Sequence, residues 1–146
     1  MKPDWILVAN ASQARLLQKE PGSPLVVLQA FHHPASRQHS STLGDDKAGR
    51  EKSDRSFGGA AYEPRVDAQT KEHLHFAHEL AAALEQGTRE DRYATVQVFA
   101  SSPFLGEIRH ALEDGTRRHL AGMHDVDLTA LGLSEIEERV RAATGA

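Results

Sequence analysis

Apolar residues in this chain come in short bursts separated by polar turns, and the period of each burst predicts its structure. Trp5-Ile6-Leu7-Val8-Ala9 is a continuous apolar run followed by the turn-prone Asn10-Ala11-Ser12, the pattern of a buried strand. Ala14 to Lys19 predicts a second strand with Leu16 inward, closed by Pro21-Gly22-Ser23-Pro24, and Leu25 to Phe31 a third. Connections this short predict antiparallel hairpins. From Val66 to Gln86 the period becomes helical, with Leu74, Ala77, Leu80, Ala81 and Leu84 as an apolar stripe and Phe76 and His73 beside it. Gly87 follows, where a left-handed C-cap is expected. Thr95 to Ala100 predicts a fourth strand. Ser102-Pro103 then opens a helix, proline being favoured at the first helical position, with Phe104, Leu105, Ile108 and Leu112 inward. A short strand is expected within Leu120 to Asp125, and Ser134-x-x-Glu137 is a capping box for a last helix carrying Ile136 and Val140.

A three-strand meander followed by helix–strand–helix–strand–helix predicts one α/β domain over residues 1–146. It has three layers, α/β/α, around a mixed five-stranded sheet, with right-handed crossovers placing helices on both faces. A flavodoxin-like fold is excluded, because the few residues between the first two strands cannot hold a helix. The same order of elements occurs in ribonuclease-H-like nucleases, which need carboxylates clustered at strand ends to hold two divalent cations. Here Asp4 alone precedes the first strand, and the fourth ends in Ala100-Ser101-Ser102, so that chemistry lacks its ligands.

One stretch breaks the pattern. Residues 33–65 hold seven hydrophobic residues in 33 and show no period, which predicts a long flexible loop. Structureless stretches of that length are either functional or disordered. The net charge of the whole 146-residue chain, -4, excludes a global basic field for nucleic acid, but this stretch is slightly basic on an acidic remainder. Its binding candidates are Arg50, Arg55 and Arg65 around Phe57, Gly58 and Gly59. Arginine reaches phosphate through bidentate hydrogen bonds, and paired glycines let a backbone approach a ligand closely. A solvated insertion of mixed charge is the alternative reading of the same residues.

The remaining chemistry is sparse. The absence of cysteine removes disulfides, thiolate metal sites and cysteine nucleophiles together. No run approaches the ~18 apolar residues of a membrane span, and the start lacks a secretory pattern, so a cytoplasmic protein without membrane contact is expected. His73, His75 and His78 lack the i, i+4 spacing with an intervening glutamate of a zinc protease, and no metal or cofactor is expected. Ser101 and Ser102, at a strand end opening a helix, read either as an N-cap or as an anion site using free backbone N–H groups. No catalytic residue is assigned, and the residues leave the oligomeric state open.

Several short motifs, in order along nearly the whole chain, resemble the bacterial host-attachment family, "protein required for attachment to host cells". They are Trp5-Ile6-Leu7-Val8-Ala9-Asn10, Ala14-Arg15-Leu16, Tyr62-Glu63-Pro64-Arg65 and Phe76-Ala77-x-Glu79-Leu80. Ser102-Pro103-Phe104-Leu105-Gly106 with Ile108-Arg109, and Asp127-Leu128-Thr129-x-Leu131, complete the set. That family is in turn similar to the middle domain of archaeal and eukaryotic release factors and Pelota, whose long loop in release factors carries a Gly-Gly-Gln tip promoting peptidyl-tRNA hydrolysis. Here Gly58-Gly59 is followed by Ala60, which has neither an amide side chain nor a general base. The resemblance therefore implies a non-catalytic binding module that uses its Gly/Arg loop on tRNA or the ribosome. Two rivals are a peptidyl-tRNA or ester hydrolase dependent on that loop, and a module for a protein partner in attachment-related regulation.

Overall fold

The structure, a computed structural model, describes residues 2–33 and 58–145, with 58–67 described by their backbone alone. The chain forms β1 (Asp4–Ala9), β2 (Gln13–Lys19), β3 (Val26–His32), α1 (Gly58–Arg89), β4 (Val96–Phe99), α2 (Phe104–Ala111), the single turn α3 (Asp114–Arg117), β5 (Leu120–His124) and α4 (Leu133–Thr144). One mixed five-stranded sheet runs β3-β2-β1-β4-β5. β1 is antiparallel to β2, and β2 to β3. β4 is parallel to β1, and β5 to β4. The meander and the mixed sheet expected from the apolar pattern are both present.

β1 sits at the centre, and its unbroken apolar run has a direct cause: both of its faces are covered. Trp5, Leu7 and Ala9 meet Phe76, Leu80 and Leu84 of α1 and Phe104 and Ile108 of α2. Ile6 and Val8, pointing the other way, join Leu17, Phe99, Leu128 and Ile136 of α4. In β2 both Leu16 and Leu17 are buried, one on each face.

Five local expectations are corrected. α1 begins at Gly58, not Val66, so Gly58, Gly59 and Arg65 lie in the helix and not in the loop expected over residues 33–65. α1 also runs through Gly87 to Arg89. The left-handed residue that ends it is Asp91 (φ 56°), while the Arg92 N–H closes back on the Gly87 carbonyl at 2.9 Å. An aspartate tolerates that conformation better than most residues, and its carboxylate also receives Lys2 Nζ at 2.6 Å. Within α1 the inward stripe is Phe76, Ala77, Leu80, Ala81 and Leu84, whereas Leu74 is 39% exposed. Phe76, not Leu74, continues the i, i+4 row with Leu80 and Leu84.

The capping box does not form. α4 starts from Gly132 with no side-chain cap, and Ser134 lies inside its first turn. Glu137 instead pairs with Lys19 of β2 at 3.3 Å, tying α4 to the sheet. Likewise Pro103 is the N-cap of α2 and not its first helical residue.

Candidate functional site

The carboxyl ends of the parallel strands β1, β4 and β5 lie together, the place where open α/β sheets gather ligands. Asn10, just past β1, is the hub. Its Oδ1 accepts the Ser12 and Gln13 N–H groups at 2.8 and 3.0 Å, which shapes the β1–β2 turn. Its amide donates to Thr129 Oγ1 at 3.0 Å and to Asp127 Oδ2 at 3.3 Å, reaching a loop 117 residues downstream. Arg15 of β2 holds the same loop: its Nη2 donates to the Thr129 and Leu131 carbonyls at 3.0 and 2.8 Å. Burial opposes ionisation of Asp127, but hydrogen bonds from the Thr129 hydroxyl and N–H and from Asn10 outweigh it and lower its pKa.

At Ser102, which reads from the sequence either as an N-cap or as an anion site, the protein itself supplies a carboxylate. The Ser102 N–H donates to Asp125 Oδ1 at 3.0 Å and its hydroxyl to Oδ2 at 2.8 Å. These two bonds, backbone first, lower the Asp125 pKa. The Ser101 carbonyl accepts the Leu105 N–H at 3.1 Å. Ser102 therefore ties the end of β4 to the residue after β5. His124 beside it is stacked on Phe99 at 4.3 Å and bonded to Gln97 at 2.8 Å; burial lowers its pKa.

Depressed carboxylate pKa values make a testable linkage. The stabilisation by Asp125 and Asp127 is present above the unfolded carboxylate value, about pH 4, and is lost as pH falls through their lower folded values. Urea midpoints measured from pH 6 down to pH 2 should fall on the acid side. The fall should be shallower in an Asp125→Asn/Asp127→Asn double variant; an equally steep acid arm in that variant would contradict the assignment.

At the same end, β3 delivers the chain to the base of the polar segment. The His33 N–H donates to the Ser12 carbonyl at 2.8 Å, and its ring bonds Glu72 of α1 at 2.8 Å. The imidazole stacks on Phe76 (5.0 Å between centroids), and Phe76 in turn stacks on Phe104 (5.8 Å). α1 runs from here to the other end of the sheet, where Gly87 lies against Trp5. Of the segment's binding candidates, Gly58, Gly59 and Arg65 are on the helix that departs from this end, while Arg50, Arg55 and Phe57 lie outside the described residues.

Asn10, Arg15, Asp127, Asp125, His33 and Glu72 were not singled out as site residues from the sequence. Asp127-x-Thr129 is readable as a local turn in which the side chain bonds its own backbone, but the bond from Asn10 has no local signal. Among the described residues, no group of three or more His, Cys, Asp or Glu is placed to hold a metal ion. Among the same residues, no helix is long and apolar enough to cross a membrane.

Fold and site together define an open mixed-sheet α/β domain with hydrogen-bonded loops at its carboxyl end and one long helix leaving from there. The chain belongs to the family described as "Protein required for attachment to host cells", whose model matches residues 5–140. No curated protein matches it at a significant level. A solved structure that is similar is a chain of a "PilM-PilN type IV pilus biogenesis complex", at 17% identity and a TM-score of 0.44. The likeness covers 94% of this chain and 41% of that one, so this chain spans less than half of its length.

Proposed function

We propose that this host-attachment family protein is a non-catalytic binding module that engages tRNA or the ribosome through the Gly58-Gly59 end of α1 and the adjoining polar segment. The length of α1 carries the reading. At about 1.5 Å per residue its 32 residues span about 48 Å, against about 20 Å for the six-residue β1. The part preceding the His33–Glu72 contact, from Gly58 to Glu72, is about 21 Å long and exceeds what is needed to cover the sheet. A glycine pair at the far end of a long helix accords with the resemblance to the middle domain of release factors and Pelota. Ala60 at the glutamine position favours binding over hydrolysis.

Co-sedimentation with ribosomes across a salt series tests this. Association should weaken linearly in a log–log plot, and an Arg50→Ala/Arg55→Ala/Arg65→Ala variant should lose about 2 from the slope, as three phosphate contacts require. Free protein in every fraction at low salt, together with no retention of labelled tRNA, would overturn the proposal.

A further inference from the structure

Among the described residues, nothing covers the whole width of the sheet face on which α4 packs. α4 and its loop seal Leu17 and Leu25, yet nearer the β1–β2 turn β2 and β3 present exposed or half-buried side chains. There Gln13 stands directly opposite His32, and Arg15 directly opposite Ala30. Residues two apart in a strand share a face, so these four form the corners of a square. Opposite Cβ atoms lie about 5 Å apart and diagonal ones about 7–8 Å. Three corners carry long polar side chains and the fourth, Ala30, only a methyl group. The result is a depression of about 100 Å³ lined by Gln13, Ala14, Arg15, Ala30 and His32.

We infer that this depression is a binding site for a phosphate group. Its three polar walls all offer N–H donors, and no carboxylate lines it among the described residues. Arg15 is the anchor. One nitrogen, Nη2, is held by the Thr129 and Leu131 carbonyls, which fixes the guanidinium plane and leaves Nε and Nη1 without a partner among the described residues. A guanidinium fixed in advance loses little freedom when an oxyanion arrives. Asp127, which bonds the same Thr129 whose carbonyl holds Arg15, is turned to Thr129 and Asn10. The Gln13 amide and the His32 ring then reach the remaining oxygens of a tetrahedral anion seated above Ala30. His33, the next residue, points to the opposite face and stacks on Phe76, so the two adjacent histidines do different work.

A free phosphate monoester and an RNA backbone phosphodiester present the same oxygens, and titration separates them. The full chain, observed by amide NMR, is titrated with inorganic phosphate, with a nucleoside monophosphate and with a short single-stranded RNA. Saturable shifts at Gln13, Arg15 and His32 are expected. Saturation by the two small ligands assigns a free phosphate, and saturation by RNA alone assigns a backbone contact. Ala30→Val fills the empty corner at an exposed strand position that favours a β-branched residue, and it should abolish the shifts while the protein stays folded. A Gln13→Ala/His32→Ala variant should bind about tenfold more weakly or worse. No saturable shift with any of the three ligands, or an Ala30→Val variant that titrates like the parent, would overturn the inference. Because free phosphate is probed directly, the result is independent of whether ribosomes are bound.

Discussion

Gly87→Ala is expected to destabilise the protein by about 2–3 kcal/mol, although alanine is the better helix former. A Cβ at this position would stand 2.5 and 2.6 Å from Trp5 Cζ3 and Cη2 and 2.8 Å from Tyr93 Cε2. Neither ring can give way cheaply. Trp5 is 1% exposed, its indole N–H donates to Gln18 at 3.2 Å, and it lies 4.5 Å from Tyr93 between centroids. The Tyr93 hydroxyl is held by the Leu84 carbonyl at 2.9 Å and by Thr88 at 2.7 Å. Burial raises the Tyr93 pKa, which keeps that hydroxyl a donor. An unconstrained helical glycine would respond in the opposite direction, gaining about 1 kcal/mol on substitution. Urea denaturation of Gly87→Ala therefore separates the two cases by sign, and a midpoint at or above that of the parent would refute the close-packing role.

Phe76→Ala should cost about 3–5 kcal/mol, the range for removing a fully buried phenylalanine. The larger interest lies in what else it releases. Phe76 fills the space between the His33 ring and Phe104, so its loss removes the platform that holds His33 against Glu72. Phe76→Leu keeps most of the volume without the stacking surface, and about 1 kcal/mol is expected for it. In that milder variant the His33 ring signals should still move by NMR, while core signals near Leu84 stay in place. Unchanged His33 signals in Phe76→Leu would show that Glu72 alone positions the ring.

Much of the fold was legible because burial writes itself into period. Trp5 to Ala9 reads as apolar throughout because α1 and α2 cover one face of β1 and α4 the other. The row Phe76, Ala77, Leu80, Ala81 and Leu84 reads as a helix because one face of α1 is inside. The start of α1 was not legible. Gly58, Gly59 and Pro64 argue against a helix by local propensity, and propensity is a weak prior that context overrides. Gly87 misled for a related reason: glycine is favoured at a helix end and equally where another group approaches the backbone, and only the position of Trp5 distinguishes the two. Ser134 and Glu137 have the spacing of a capping box, but Lys19 competes for the glutamate from a strand far away in sequence.

At the candidate site the division is sharper. The motifs carrying Asn10, Arg15 and Asp127-Leu128-Thr129 are visible in order along the chain, yet nothing local says that they touch. By itself the sequence determined the element types, the meander, the mixed sheet and the place of the polar stretch, because each depends on burial patterns and turn residues a few positions apart. Tertiary structure alone decided that Asp125 occupies the N–H group of Ser102, that His33 is clamped to Glu72, and that Arg15, Gln13 and His32 surround an empty corner at Ala30. Hydrogen bonds and hollows of that kind depend on side chains brought together from strands and loops far apart in the chain, and no periodicity records such a meeting.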